Sequence, residues 1–159
     1  MKRNRLSLLV AVLLGSATLS AQTITNNEDG KYTLKVGEVS MTVDASKGAK
    51  ILSYKYGDKE VLSQTRMPNS FGSTFWTSPQ SEWNWPPVPE YDTKPYQAEV
   101  NGNKLILTGE KSKRFGYSVR KEFTTDAKDN AIVITYTIVN QSGETRKVAP
   151  WEISRVPNG

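Results

Sequence analysis

Residues 131–140 read AIVITYTIVN, a run in which bulky side chains alternate with smaller ones. One face of an extended chain collects the bulkier side chains, Ile132, Ile134, Tyr136 and Ile138. Because successive side chains of a β-strand point to opposite faces, this period of two predicts a strand whose aliphatic face meets a core. The preceding run 117–124 (YSVRKEFT) predicts its antiparallel partner across the polar turn 125–130.

The same alternation recurs along most of the chain. It predicts strands over 32–36, 39–43, 49–56, 60–62, 96–100, 104–108 and 146–153. The strongest turn signal is Asn101-Gly102-Asn103, because Asn and Gly tolerate the positive φ of a tight hairpin. No apolar stripe with a 3.6-residue period is long enough for a substantial helix. We therefore predict an all-β fold, an antiparallel twisted β-sandwich.

Residues 75–91, FWTSPQSEWNWPPVPEY, differ in composition from the alternating runs and hold three of the four tryptophans. Four prolines in this segment lack the backbone N–H that helices and central strands need. The segment is therefore predicted to be a long, stiffened loop, neither a helix nor a central strand. Loops of this length within a compact domain commonly carry function.

The residues of this loop suit a sugar ligand. Flat rings can stack on the C–H face of a sugar ring, and interleaved polar groups can bond its hydroxyls. The candidate stacking residues are Trp76, Trp83, Trp85 and Tyr91. Glu82 and Asn84 are the candidate hydroxyl partners, and Arg155 is a further candidate that can hold a hydroxyl or a uronate carboxylate through its planar fork.

A structural explanation stays open for each of these residues. The rings of the loop can instead pack over the open edge or end of the β-structure. Arg155 can instead form a surface ion pair or lie at the end of a sheet. Since four rings cannot all face one ligand, some of them are expected to be packing residues.

The first residues have the pattern of an export signal. Lys2, Arg3 and Arg5 precede the short apolar run 6–14 (LSLLVAVLL), and small residues continue to Ala21. The apolar run is too short to span a membrane. We therefore predict a signal peptide over residues 1–21, with cleavage after Ala21 or within a few positions of it, and a secreted, periplasmic or extracellular protein.

Residues 22–159 form the predicted mature β-sandwich domain. The whole chain has 21 Lys and Arg against 16 Asp and Glu, and the leader removes three basic residues, which leaves a net charge of +2. This near balance gives no support for nucleic-acid binding, and no membrane span is predicted once the leader is removed. We predict a carbohydrate, a mono- or oligosaccharide, as the partner.

Cysteine and histidine are both absent from the sequence. Their absence excludes disulfides, a Ser-His-Asp triad and any His- or Cys-ligated metal site within this chain. We predict neither a metal nor a cofactor. An enzymatic role would have to use carboxylates, with Glu152 or Glu82 as the acid or base, and the catalytic residues stay unknown.

Lys121 has an unusual position in its predicted strand. It shares strand parity with Tyr117, Val119 and Phe123, which all belong to the inward face. The side chain can line a polar pocket, or a bulge can turn it outward. The interpretation that we favour here is that its apolar stem runs to the surface and exposes the ammonium group.

Several runs resemble the galactose-mutarotase-like β-supersandwich superfamily. They are 48–54 (GAKILSY), 119–123 (VRKEF), 134–140 (ITYTIVN) and 149–152 (APWE). Within that superfamily, residues 71–87 (FGSTFWTSPQSEWNWPP) resemble an uncharacterised group of secreted bacterial proteins with an FWxSPQSxWNWPP-type segment. The resemblance implies aldose binding in a cleft on the concave face of a large twisted sandwich.

Two departures from the superfamily bear on activity. Aldose epimerases of this type pair a Glu base with a His acid, and this chain has no His. The fold normally uses a chain about twice as long, so we expect residues 22–159 to be the N-terminal half of a truncated sandwich. Three functions stay open: a secreted carbohydrate-binding domain, a carboxylate-dependent epimerase, lyase or glycosidase whose catalytic half is missing, and a structural or interaction domain of the cell envelope.

Overall fold

The computed structural model of the protein describes residues 21–65 and 71–157. Its regular elements are nearly all strands: β1 (Gln22–Asn26), β2 (Lys31–Val36), β3 (Val39–Asp44), β4 (Lys50–Tyr56), β5 (Lys59–Glu60), β6 (Ser73–Ser78), β7 (Tyr96–Asn101), β8 (Lys104–Gly109), β9 (Tyr117–Asp126), β10 (Ala131–Asn140) and β11 (Ala149–Ser154). One helical turn, α1 (Pro89–Asp92), and two short 3-10 turns complete the set. The predicted all-β class is confirmed.

Two antiparallel sheets form the sandwich. The first has the strand order β1-β2-β3-β4-β6-β11, with the short β5 beside β4. The second has the order β10-β9-β8-β7. Hairpins between consecutive strands build most of both sheets, whereas β11 joins β6 across a long stretch of intervening chain.

The core lies between the two sheets. Its large buried apolar side chains come from both sheets and from α1: Leu34, Val43, Phe75, Tyr91, Leu105, Leu107, Tyr117 and Phe123. Phe75 of β6 meets Tyr136 of β10 across the interior, with 4.8 Å between the ring centroids. In β10 the even-numbered residues from Ile132 to Ile138 are half-buried and the intervening ones exposed, so the predicted facing of this strand is confirmed.

The prediction that residues 75–91 form only a loop is wrong at both ends. Phe75–Ser78 belong to β6, which lies between β4 and β11 in the first sheet, and Pro89–Asp92 form α1. The first proline of the segment is Pro79, which follows the last strand residue and leaves the ladder intact. Pro89 takes the first position of the helix, where the missing N–H costs nothing.

The ends of the described chain differ from the prediction in smaller ways. The last strand begins at Ala149, not at Arg146, and β1 was not predicted from the sequence at all. Residues 1–20 of the predicted signal peptide lie outside the described residues. Within the described ranges, no helix is long and apolar enough to cross a membrane.

The interpretation that the Lys121 side chain runs to the surface and exposes its ammonium group is wrong. Only 1% of the residue is exposed, and β9 pairs with β10 in an unbroken register, without a bulge that would turn the side chain outward. Its Nζ donates to the backbone O of Gly48 at 2.7 Å and of Ala49 at 3.3 Å. The ammonium group also lies 5.2 Å from the ring centroid of Tyr96 and 5.4 Å from that of Phe75.

Candidate functional site

A groove of about 870 Å³ lies on the face of the first sheet that points away from the core. Strand parity places its lining there, because Phe75, Ile51 and Val43 fill the core and their neighbours point the other way. The loop 85–87 and the end of α1 close one side. The lining residues that matter below are Lys47, Lys50, Thr74, Trp76, Trp85, Asp92 and Arg155.

Trp76 is the centre of an aromatic cluster at this groove. Three other tryptophan rings meet it edge-on, with centroid distances of 5.7 Å to Trp83, 5.9 Å to Trp85 and 5.6 Å to Trp151. Edge-to-face contacts at these distances are the favourable geometry for aromatic pairs. The indole Nε1 of Trp76 donates to Asp92 Oδ1 at 2.7 Å, which fixes the ring against α1.

The four tryptophans have different degrees of exposure. Trp85 is 70% exposed and Trp151 is 36% exposed, whereas Trp83 is 3% exposed. The indole N–H of Trp83 donates to the backbone O of Thr77 at 2.9 Å, so the polar group of this buried ring has a hydrogen-bond partner. Trp83 therefore packs against Trp76 on the buried side of the cluster. Trp85 exposes its ring to solvent beside Pro86 and Pro87.

The structure brings together three of the seven residues predicted for the site. Trp76, Trp85 and Arg155 line the groove. Trp83 and Tyr91 are buried, and the Tyr91 hydroxyl donates to the backbone O of Tyr117 at 3.4 Å. These two rings are therefore packing residues, as was expected of some members of the set.

The two polar candidates of the loop lie outside the groove lining. Asn84 has a positive φ of 58°, and its backbone N–H donates to Gln80 O at 2.7 Å. The residue therefore forms part of a turn. The backbone O of Glu82 accepts from Arg114 Nη2 at 2.8 Å. Neither residue is among those that form the groove walls.

Arg155 follows the strand that completes the first sheet. In the β6–β11 register Trp151 is opposite Trp76 and Ile153 is opposite Thr74, so Arg155 continues along the same face toward the groove. Its Nη1 donates to Thr74 Oγ1 at 3.3 Å and to Ile153 O at 3.4 Å.

Several groove residues were not identified from the sequence. Lys47 and Lys50 come from a turn and from the start of β4, Asp92 is the last residue of α1, and Thr74 lies in β6 just before the segment predicted as a loop. The strand period of two could have identified Thr74, because Thr74 is two residues before Trp76 and therefore shares its face. No local pattern indicated Lys47 or Asp92.

The turn below the groove is held by a close backbone contact. Gly48 has a φ of +63°, and a Cβ atom at this position would lie 2.1 Å from the backbone O of Asp92. The backbone N–H of Gly48 donates to Lys94 O at 2.9 Å, and its carbonyl accepts from Lys121. The turn that bears Lys47 and Lys50 is thus tied both to α1 and to the second sheet.

Glu152 lies on the opposite face of β11 from Arg155. It is opposite Phe75 in the register, and its carboxylate accepts from Ser73 Oγ and from the Tyr136 hydroxyl. The residue keeps solvent access because β11 is the outermost strand of the first sheet among the described residues, although the carboxylate itself points inward. Burial raises the pKa of this carboxyl, and the hydrogen bonds and the charge of Lys121 oppose that effect.

Comparison with known proteins shows no family. No family profile matches the chain, and no curated protein matches its sequence. The crystal structure of 4-alpha-glucanotransferase from Thermococcus litoralis is similar, with a TM-score of 0.46 and 14% sequence identity over 75% of this chain. The chain spans 24% of the length of that enzyme. The resemblance to the β-supersandwich superfamily therefore stays a prediction from the sequence.

Proposed function

We propose that the protein is a carbohydrate-binding domain whose ligand occupies the groove on the outer face of the first sheet. The observation that carries the proposal is Trp85, a ring 70% exposed at the mouth of a groove whose wall continues in Trp76. A large exposed indole is costly to leave in water and is a typical anchor of a binding surface. A sugar offers it the C–H face of a ring.

The polar groups around the rings suit a hydroxylated ligand. Thr74, Ser46 and Thr93 bring hydroxyls to the groove, and Asp44 and Asp92 bring carboxylates. A sugar ring needs both donors and acceptors at its rim, and this lining supplies both. Because Trp76 is already fixed by Asp92 and by three neighbouring rings, little ordering of that wall is needed on binding.

Binding is favoured over catalysis by the placement of Glu152. This carboxylate was one of the two sequence candidates for an acid or base, and it points toward Ser73 and Tyr136 on the core side of the sheet. A ligand in the groove lies on the other side. Export of the protein, inferred from the leader-like residues 1–21, belongs to the same proposal, and intact-mass measurement of the mature protein tests it.

Replacing Trp85 by alanine is expected to weaken saccharide binding at least about tenfold, since truncation of a central aromatic anchor commonly costs more than 1.4 kcal/mol. The measurement is isothermal titration of the protein with a panel of neutral and uronic oligosaccharides. Tyr56→Ala is the matched control, because Tyr56 is 62% exposed, is aromatic and lies outside the groove lining.

The control separates a groove site from general surface adhesion. The proposal predicts that Tyr56→Ala binds like the unmodified protein and that Trp85→Ala keeps the unmodified melting temperature within a few degrees. Equal affinity in both variants, or no binding of any saccharide by the folded protein, would overturn the groove as a carbohydrate site.

A further inference from the structure

We infer that the saccharide taken by the groove is anionic, with the guanidinium of Arg155 binding an oxyanion on a sugar unit stacked near Trp76 and Trp85. This inference rests on the proposed function and names the class of ligand for the same groove. The ligand chemistry is a carboxylate or a sulfate carried by a pyranose ring.

The cationic groups of the groove are the first support. Four cationic side chains, Lys31, Lys47, Lys50 and Arg155, line it against three aspartates, Asp29, Asp44 and Asp92. The groove therefore has one more cationic than anionic side chain, and each aspartate makes at least one contact within the protein. Asp29 pairs with Lys31 at 3.9 Å, Asp44 Oδ1 accepts from the Ser46 backbone N at 2.9 Å, and Asp92 Oδ1 accepts from Trp76.

Arg155 forms no salt bridge with these aspartates, and its charge acts on the Glu152 carboxylate only from beyond salt-bridge distance. Within residues 21–65 and 71–157 its guanidinium forms no ion pair within 4.0 Å, and its two hydrogen bonds go to the neutral oxygens of Thr74 and Ile153. Both bonds use the same nitrogen, Nη1. The remaining N–H groups of the planar fork are therefore available for the two oxygens of a carboxylate, the bidentate geometry that this side chain favours.

The spacing along β6 relates the cation to the aromatic wall. Thr74, which Arg155 contacts, and Trp76 are two residues apart on one face of the strand, or about 6.7 Å. A single pyranose with an exocyclic carboxylate can bridge such a distance, with its ring against the indole and its charge at the guanidinium. Lys47, exposed in the neighbouring turn, adds positive charge on the same groove.

The test uses three trisaccharides of the galactose series, one neutral and two anionic. Galactotriose is the neutral ligand, trigalacturonate carries carboxylates, and a sulfated galactotriose carries sulfate esters. We expect the folded protein to bind an anionic trisaccharide at least about tenfold more tightly than the neutral one, because hydrogen bonds between two charged groups are stronger than those between neutral groups. Preference between the two anions distinguishes a carboxylate ligand from a sulfated one.

Arg155→Gln should bring the ratio of anionic to neutral affinity to within about twofold of one. Arg120→Gln is the control, because it changes the net charge equally but lies on β9 of the second sheet. Lys47→Gln, in an exposed turn, is a second groove variant that does not depend on β11 and should lower the same affinity ratio.

The outcomes separate the two proposals. Equal binding of neutral and anionic trisaccharides, or an equal loss in Arg155→Gln and Arg120→Gln, overturns the anionic ligand and leaves the carbohydrate site intact. Absence of binding to all three ligands by folded protein overturns the carbohydrate site itself, and the anionic ligand with it.

Discussion

Trp83→Ala is expected to lower the free energy of unfolding by about 3–5 kcal/mol, the usual cost of removing a buried tryptophan side chain. Trp83 is 3% exposed, and its ring meets the edge of Trp76 at 5.7 Å. The substitution also leaves the backbone O of Thr77 without its 2.9 Å indole donor. The cavity, the lost contacts and the lost hydrogen bond all lower the free energy of unfolding.

Urea unfolding followed by circular dichroism measures this effect, with Trp85→Ala as the matched variant. Both remove an indole from the same loop, but Trp85 is 70% exposed, so its removal should change the free energy of unfolding by less than about 1 kcal/mol. A similar loss in the two variants would contradict the structure. Unchanged stability of Trp83→Ala would show that its ring is not buried in solution.

The unfolding free energy is expected to rise by about 2 kcal/mol between pH 7 and pH 9.5 through Lys121 alone. Burial lowers the pKa of Lys121 to about 8, while the nearby charges of Glu152 and Asp92 oppose that lowering. An unfolded lysine has a pKa of about 10.4. Between these values the folded protein has released the proton and the unfolded chain still holds it, so stability increases with pH.

The sign follows from where the proton is bound. Below pH 8 both states hold it, and the folded protein carries a buried ammonium at full cost. Above pH 10 the trend reverses, because burial raises the pKa of Tyr96 and Tyr91 and the unfolded tyrosines ionise first. The useful window is therefore pH 8 to 10.

Comparison with Lys121→Met isolates this contribution. Methionine fills a similar volume without a titrating group, so the slope of unfolding free energy against pH should flatten in the variant between pH 8 and 10. The measurement is guanidinium unfolding at half-unit pH steps in both proteins. Parallel slopes would mean that Lys121 titrates normally and is not enclosed between the sheets.

Local patterns predicted the parts of the fold that local chemistry determines. The β9–β10 pair and the β7–β8 hairpin follow from alternation and turn residues, and both are present. The strand at β6 was missed because its tryptophan and threonine were read together with prolines that begin one residue after it. Residues next to a strand-breaking proline were taken to lie outside a strand, although the first proline comes only after the strand has ended.

The candidate site was predictable only in part for a related reason. Trp76, Trp85 and Arg155 all stood out by residue type. Which rings are buried depends on the packing of β6 against β11 and α1, and no local period contains that information. Lys121 was misread because an inward ammonium requires the backbone carbonyls of Gly48 and Ala49, which lie more than 70 residues away.

The pairing of β11 with β6 has a consequence for the order in which the molecule forms. The two strands are about 75 residues apart in sequence, and contacts of that range form slowly because a long loop must close first. Arg155 reaches the groove only once this pairing exists, whereas Trp76 and Trp85 belong to earlier chain segments. The end of the groove that holds Arg155 is therefore expected to form after the part that Trp76 and Trp85 line. A bound saccharide that spans both ends would slow the detachment of β11 and protect its backbone amides from hydrogen exchange.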